Sequence, residues 1–142
     1  RQAIHLDHDA VDSVVEICAE RDASILARDY LNIVVEKRIA TRGFTEDEAA
    51  DYIERYNQAG IEFRRKGHWQ EAIKTYKCAL AVGPDNAVLH FNIGVAYIQI
   101  KEKEQAAFYL KRSSELNAAS ADPDPRLPGL VNRELERLKT LP

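Results

Sequence analysis

Apolar positions along the chain recur at intervals of three and four, the period of an α-helix buried along one face. Val11, Val14, Val15 and Cys18 form one such series and predict a helix over 9–20. Ile25, Leu26, Tyr30, Leu31, Val34 and Val35 form the next, over 23–40, with Asp22 placed to cap it. These two segments read as an N-terminal hairpin. Arg42-Gly43 stops it, because Gly tolerates the left-handed conformation past a helix end. Thr45, followed three residues later by Glu48, forms a capping box for a third helix that meets no breaker before Gly67. A fourth helix is expected over 69–82, and Pro84-Asp85-Asn86 opens a fifth over 87–100. A sixth covers 104–117. Asp122-Pro123-Asp124-Pro125 then disfavours helix, since each Pro restricts the residue before it. A seventh helix over 130–139 completes the series, with Leu127, Leu130, Val131, Leu135 and Leu138 as its apolar face. Period-two alternation is almost absent, so the fold class is all-α.

Composition narrows the partner classes. With 20 Lys+Arg against 23 Asp+Glu, and no basic run, the chain lacks the clustered cations that displace counterions from phosphates, which argues against nucleic-acid binding. Cys18 and Cys78 lie far apart without a CxxC, and each falls in an apolar helical pattern. That favours buried thiols and a reducing, cytoplasmic setting over a disulfide scaffold. No apolar run approaches the ~18–20 residues of a membrane span. The sequence contains no Met and opens on Arg1, so it reads as part of a longer chain.

Candidate chemistry is sparse. His5-Leu6-Asp7-His8-Asp9 carries metal-ligating side chains, but Asp7 and Asp9 equally suit a helix N-terminus. No nucleophile elbow, phosphate-binding loop or HExxH motif occurs. Glu102, Glu104 and Glu115 alternate with Lys101, Lys103 and Lys111, as on a solvated helix face. Neither catalysis, a cofactor nor a metal site is expected.

The decisive signal is internal. Shifted by 34 residues, Gly60 falls on Gly94, Phe63 on Tyr97, Ala72 on Ala106 and Tyr76 on Leu110, with no insertion. A fixed period of this length implies stacked supersecondary units. Each unit is a pair of antiparallel helices, in which the small residue of the first admits the close approach of the second. Tyr56, Ala59-Gly60, Phe63, Gly67, Ala72, Tyr76, Ala79 and Pro84 stand in one unit. His90, Ile93-Gly94, Tyr97, Ala106, Leu110, Ser113 and Ala118 stand in the next. This pattern resembles the tetratricopeptide repeat family, with repeats over 53–86 and 87–120; Ser113 and Ala118 depart from the usual Ala and Pro.

The resemblance implies a short right-handed α-solenoid. Its organisation would be an N-terminal helical hairpin over 1–44, repeats within 45–120, and a Pro-rich linker with a capping helix over 121–142. The hairpin could be a degenerate repeat, with Ala27, Leu31 and Val34 among its signature positions, or a dimerisation arm. Two repeats alone leave their outer faces bare, so both flanks are expected to cover the stack. The resemblance also implies a concave groove that takes a peptide or helix of a partner protein. Its positions here are Glu54, Asn57, Ile61, Arg64 and Arg65 in the first repeat, and Val88, Phe91, Asn92, Val95, Ile98 and Gln99 in the second. The Lys and Asn clamp used by members that bind acidic chaperone tails is not matched: only Asn92 falls on a clamp position with the right residue type, while Asn57 stands where Lys is wanted and Ile61 where Asn is wanted. The main expectation is a non-catalytic interaction module. Two other readings remain open: a homo-oligomerisation domain whose groove is filled by its own N-terminal helices or a second protomer, and an output or adaptor domain of a bacterial signalling or secretion protein.

Overall fold

A computed structural model describes the backbone of residues 8–142 and the side chains from residue 23 onward. Six helices make up the described fold: α1 (His8–Thr41), α2 (Glu46–Arg65), α3 (Trp69–Ala79), α4 (Ala87–Gln99), α5 (Lys103–Ala119) and α6 (Leu127–Thr140). No strand occurs among the described residues.

The first correction concerns the N-terminus. In place of a hairpin, α1 is one uninterrupted helix of 34 residues. Asp22 is a good cap only where the chain turns. The Glu20-Arg21-Asp22 stretch holds no Gly or Pro to turn it, so the helix runs through. A degenerate repeat over this segment is excluded with the hairpin, since a repeat needs two antiparallel helices. The side chains of Val11, Val14, Val15 and Cys18 lie outside the described residues, as does the His5–Asp9 run.

The capping box at α2 is formed as the sequence predicts. Thr45 accepts from the Glu48 amide at 3.2 Å, while the Thr45 amide donates to the Glu48 carboxylate at 3.1 Å. Asn86 likewise caps α4, accepting from the Leu89 amide at 3.1 Å. Helices α2 and α3 pair, as do α4 and α5, and α3 packs on α4 to join the two pairs.

Within each pair a glycine sets the spacing. Gly60 lies against the ring of Tyr76, and a Cβ on it would collide with the Cε1, Cζ and Cδ1 atoms of that ring. Gly94 lies against Leu110 in the same way; a Cβ there would stand 2.8 Å from Leu110 Cγ. Ala72 and Ala106, facing these contacts, are fully buried. One core cluster gathers Tyr52, Tyr56, Phe63, Tyr76, Leu89 and Ile93 around the first pair and its junction with the second. Another joins Ile98, Ala106 and Leu110 to Leu127, Val131 and Leu138 of α6.

The terminal helix begins three residues earlier than its periodicity suggested, and Leu130 is 37% exposed. Leu127, Val131 and Leu138 align within one stripe, whereas Leu130 falls to its side. The Pro-rich connection is tied down by Asn117. Its amide donates to the Asp124 carbonyl at 3.0 Å and its oxygen accepts from the Asp124 amide at 2.9 Å.

The repeat also fixes the turns. Gly67, between α2 and α3, has φ +79°, and 34 positions on Lys101 takes the same left-handed conformation at φ 61°. A side chain there costs about 1–2 kcal/mol. Lys101→Gly is therefore expected to raise stability by about 1 kcal/mol in urea denaturation. Gly60→Ala should do the reverse of the usual helical Gly→Ala gain, lowering stability by about 1–3 kcal/mol through collision with Tyr76.

Candidate functional site

Amphipathic periodicity places the inner faces of α2 and α4 side by side. One hydrogen bond ties them: the Asn92 amide donates to the Asn57 side-chain oxygen at 3.0 Å. The two asparagines expected in the groove are thus brought together, and both stay half-buried. Ile61, Arg64 and Val95 are also half-buried, while Arg65, Glu54 and Gln99 are exposed. Val88 is 45% exposed, an apolar side chain open to solvent. Arg65 pairs with Glu62 at 2.9 Å, one turn back on its own helix.

Two sequence assignments change. Ile98 is 3% exposed and belongs to the core cluster formed with α6, so it is a packing residue and not a groove residue. Phe91 is half-buried against the same cluster. The reason is the C-terminal helix: α6 packs on α5 and reaches α4, covering part of the apolar surface of the second repeat. This flank is one of the two expected to cover the stack.

An open cleft of about 560 Å³ lies between the start of α2 and the α3–α4 turn, lined by Ala50, Ile53, Glu54, Val82, Pro84 and Asp85 among others. Glu54 and Asp85 make this end of the molecule acidic. Arg64 and Arg65 stand at the other end of α2, about 15 Å away at 1.5 Å per residue. The inner face therefore runs from anionic to cationic along α2.

Sequence reasoning missed how α1 is held. Arg28, 7% exposed, donates to the Glu71 carboxylate at 2.6 Å and lies 5.8 Å from the centroid of the Phe63 ring. Burial by itself would lower the pKa of this guanidinium, but hydrogen bonds to Glu71 and Asp29 outweigh it and leave the value raised. Tyr56 donates to the Asn32 side-chain oxygen at 2.6 Å. Its phenol is pushed upward chiefly by burial and secondarily by the nearby Cys78 and Glu36. Arg38 pairs with Glu48 of the capping box. No local motif announces partners 43 residues apart; only the amphipathic mismatch of an Arg on the Val35 face of α1 hints at one.

A second feature not foreseen is an aromatic ledge. Lys77 donates to the Tyr97 hydroxyl at 2.6 Å and sits 5.1 Å from that ring's centroid. Tyr97 stacks on Tyr109 at 5.7 Å, and His90 lies 5.7 Å from Tyr109 on the other side. The hydrogen bond to Tyr97 is the main reason the Lys77 ammonium is held above its ordinary pKa. His90 itself contacts the Pro84 carbonyl through Nε2 at 2.9 Å, consistent with a packing role.

Residues 60–100, from the last turns of α2 to the end of α4, match the family profile described as TPR repeat. Over these residues the chain is similar to tetratricopeptide repeats. Repeats of this family mediate protein–protein interaction. No curated protein matches the chain significantly. No helix among the described residues is long and apolar enough to cross a membrane.

The way α1 is held generates its own test. Glu71→Ala leaves Arg28 buried without its main partner and is expected to cost about 2–4 kcal/mol. The loss is measured as a fall in the urea midpoint. Glu71→Gln, which keeps an acceptor, should cost less.

Proposed function

We propose that this tetratricopeptide repeat domain is a non-catalytic adaptor, with partner segments bound along the inner face of α2 and α4. The observation that carries the reading is the half-open apolar and amide surface formed by Val88, Val95, Ile61 and the Asn57–Asn92 pair, on helices of a repeat family that serves protein interaction. Apolar side chains left open beside unsatisfied amide capacity suit a peptide that brings both side chains and backbone. Asn57 uses its oxygen on Asn92, which leaves its own amide N–H groups to a partner carbonyl.

Charge sets the direction of the bound segment. Glu54 and Asp85 favour a cationic residue at one end, while Arg64 favours an anionic one at the other. Phe91 plays a supporting part, holding α4 against α6, and Ile98 has no place in the contact. The domain boundaries of the proposal remain 53–86 and 87–120 for the repeats, with α1 and α6 as covers. A reducing, cytoplasmic setting fits the half-buried Cys78 thiol.

Peptide-display selection on the immobilised domain tests this. Val88→Asp changes an exposed side chain, so folding should be unaffected. It is expected to weaken selected peptides by about tenfold or more, and Arg64→Glu to weaken those with an acidic end. Peptides that bind both variants as tightly as the parent would overturn the groove assignment.

A further inference from the structure

α1 is apolar on two opposite faces, and the tetratricopeptide repeats use only one. Arg28, Leu31, Asn32 and Val35 turn toward α2 and α3. On the far side, Ala23, Leu26, Tyr30, Ile33, Lys37 and Ala40 are all exposed. Leu26, Tyr30 and Ile33 are 67%, 69% and 63% exposed, three of the largest open apolar side chains among the described residues. A helix that merely covers the end of a stack has no use for such a line.

The spacing is that of a seam. These positions alternate by three and four over about two and a half heptads, the 3.5-residue period that keeps one stripe against a neighbouring helix. A straight amphipathic helix serving a single globular core has no need to repeat this pattern on its outer side. Because the seam lies opposite the Arg28–Val35 face, a second helix can occupy it without disturbing the attachment of α1 to the repeats.

Charge identifies the occupant and its direction. One flank of the seam carries Asp29 and Glu36; the other carries Ala27 and Val34. An antiparallel copy would set acidic flank against acidic flank, which is repulsive. A parallel copy in register sets the acidic flank against the neutral one. It also seats each Lys37 in a hole that includes Glu36 of the other copy, pairing the seam's one cation with an anion. Neither Glu36 nor Lys37 makes an ion pair with another described residue of its own chain, so both are available.

We propose that α1 pairs with α1 of a second copy of this chain as a parallel, in-register two-stranded coiled coil along Leu26, Tyr30, Ile33 and Lys37. The two repeat stacks then hang on the outer sides of the pair, with both α2–α4 grooves free. The surface is separate from that groove, so dimerisation and peptide binding are lost independently.

Sedimentation equilibrium of the 142-residue chain, from about 1 to 200 μM, tests the pairing. A concentration-dependent dimer is expected. Ile33→Asp should abolish it over this range while the circular dichroism spectrum stays unchanged and the melting temperature matches that of the parent at the lowest concentration, because Ile33 is exposed in the single chain. Lys37→Glu should weaken the dimer by about tenfold, and the double swap Glu36→Lys with Lys37→Glu should recover most of that loss. A monomer throughout would overturn the proposal, which includes the case where another protein or another segment of the chain covers the seam. A dimer indifferent to Ile33→Asp would also overturn it. Failure of the double swap to recover affinity would rule out the parallel register.

Discussion

Tyr76 lies across Gly60, and 34 residues on, Leu110 lies across Gly94. This close approach of paired helices is the constraint from which the rest follows. Without a Cβ in the way, α2 and α3 come near enough for Ala72 and Tyr76 to be wholly enclosed, and α4 and α5 repeat the arrangement around Ala106 and Leu110. Because interiors are close-packed, that spacing also sets where α4 meets α3 and where α6 meets α5. The inner face of α2 and α4 is a consequence: once the glycine contact fixes the pairs, Asn57 and Asn92 fall within hydrogen-bond reach.

The two flanks are attached by different physics. α6 joins by apolar burial, with Leu127, Val131 and Leu138 continuing the core of the second repeat. α1 joins by a mixed surface in which Val35 is buried beside a guanidinium that must keep its carboxylate. Buried ion pairs contribute little net stability but strongly penalise wrong registers, since a displaced Arg28 would be buried without Glu71. That division leaves the outer side of α1 uncommitted, and the charges beside it fit a second helix of the same sequence.

The fold was largely legible in the chain because repetition makes each signal appear twice. Gly60 and Gly94, Ala72 and Ala106, Thr45 with Glu48, and Asn86 all act as their positions suggest. The failures are instructive. Asp22 looked like a cap because capping preference is local, but nothing near it forces a turn, and the helix continues. Ile98 looked like a groove residue because repeat position says which way a side chain points, not what lies beyond it. The proposed groove was legible only in part for the same reason: Val88 stays open while Phe91, three residues on, is packed against the cluster that α6 completes.

By itself the sequence determined the helical class, the 34-residue unit, the small residues that let helices close, and the caps that start them. Each of these is decided by a residue and its near neighbours, through periodicity, backbone freedom or a local hydrogen bond. Only the tertiary structure decided which apolar faces are shared and which are left over. It seated Arg28 on Glu71, carried α6 onto Ile98 and Phe91, and left Leu26, Tyr30 and Ile33 facing outward. Burial is a property of two surfaces meeting, and the second surface lies tens of residues away along the chain.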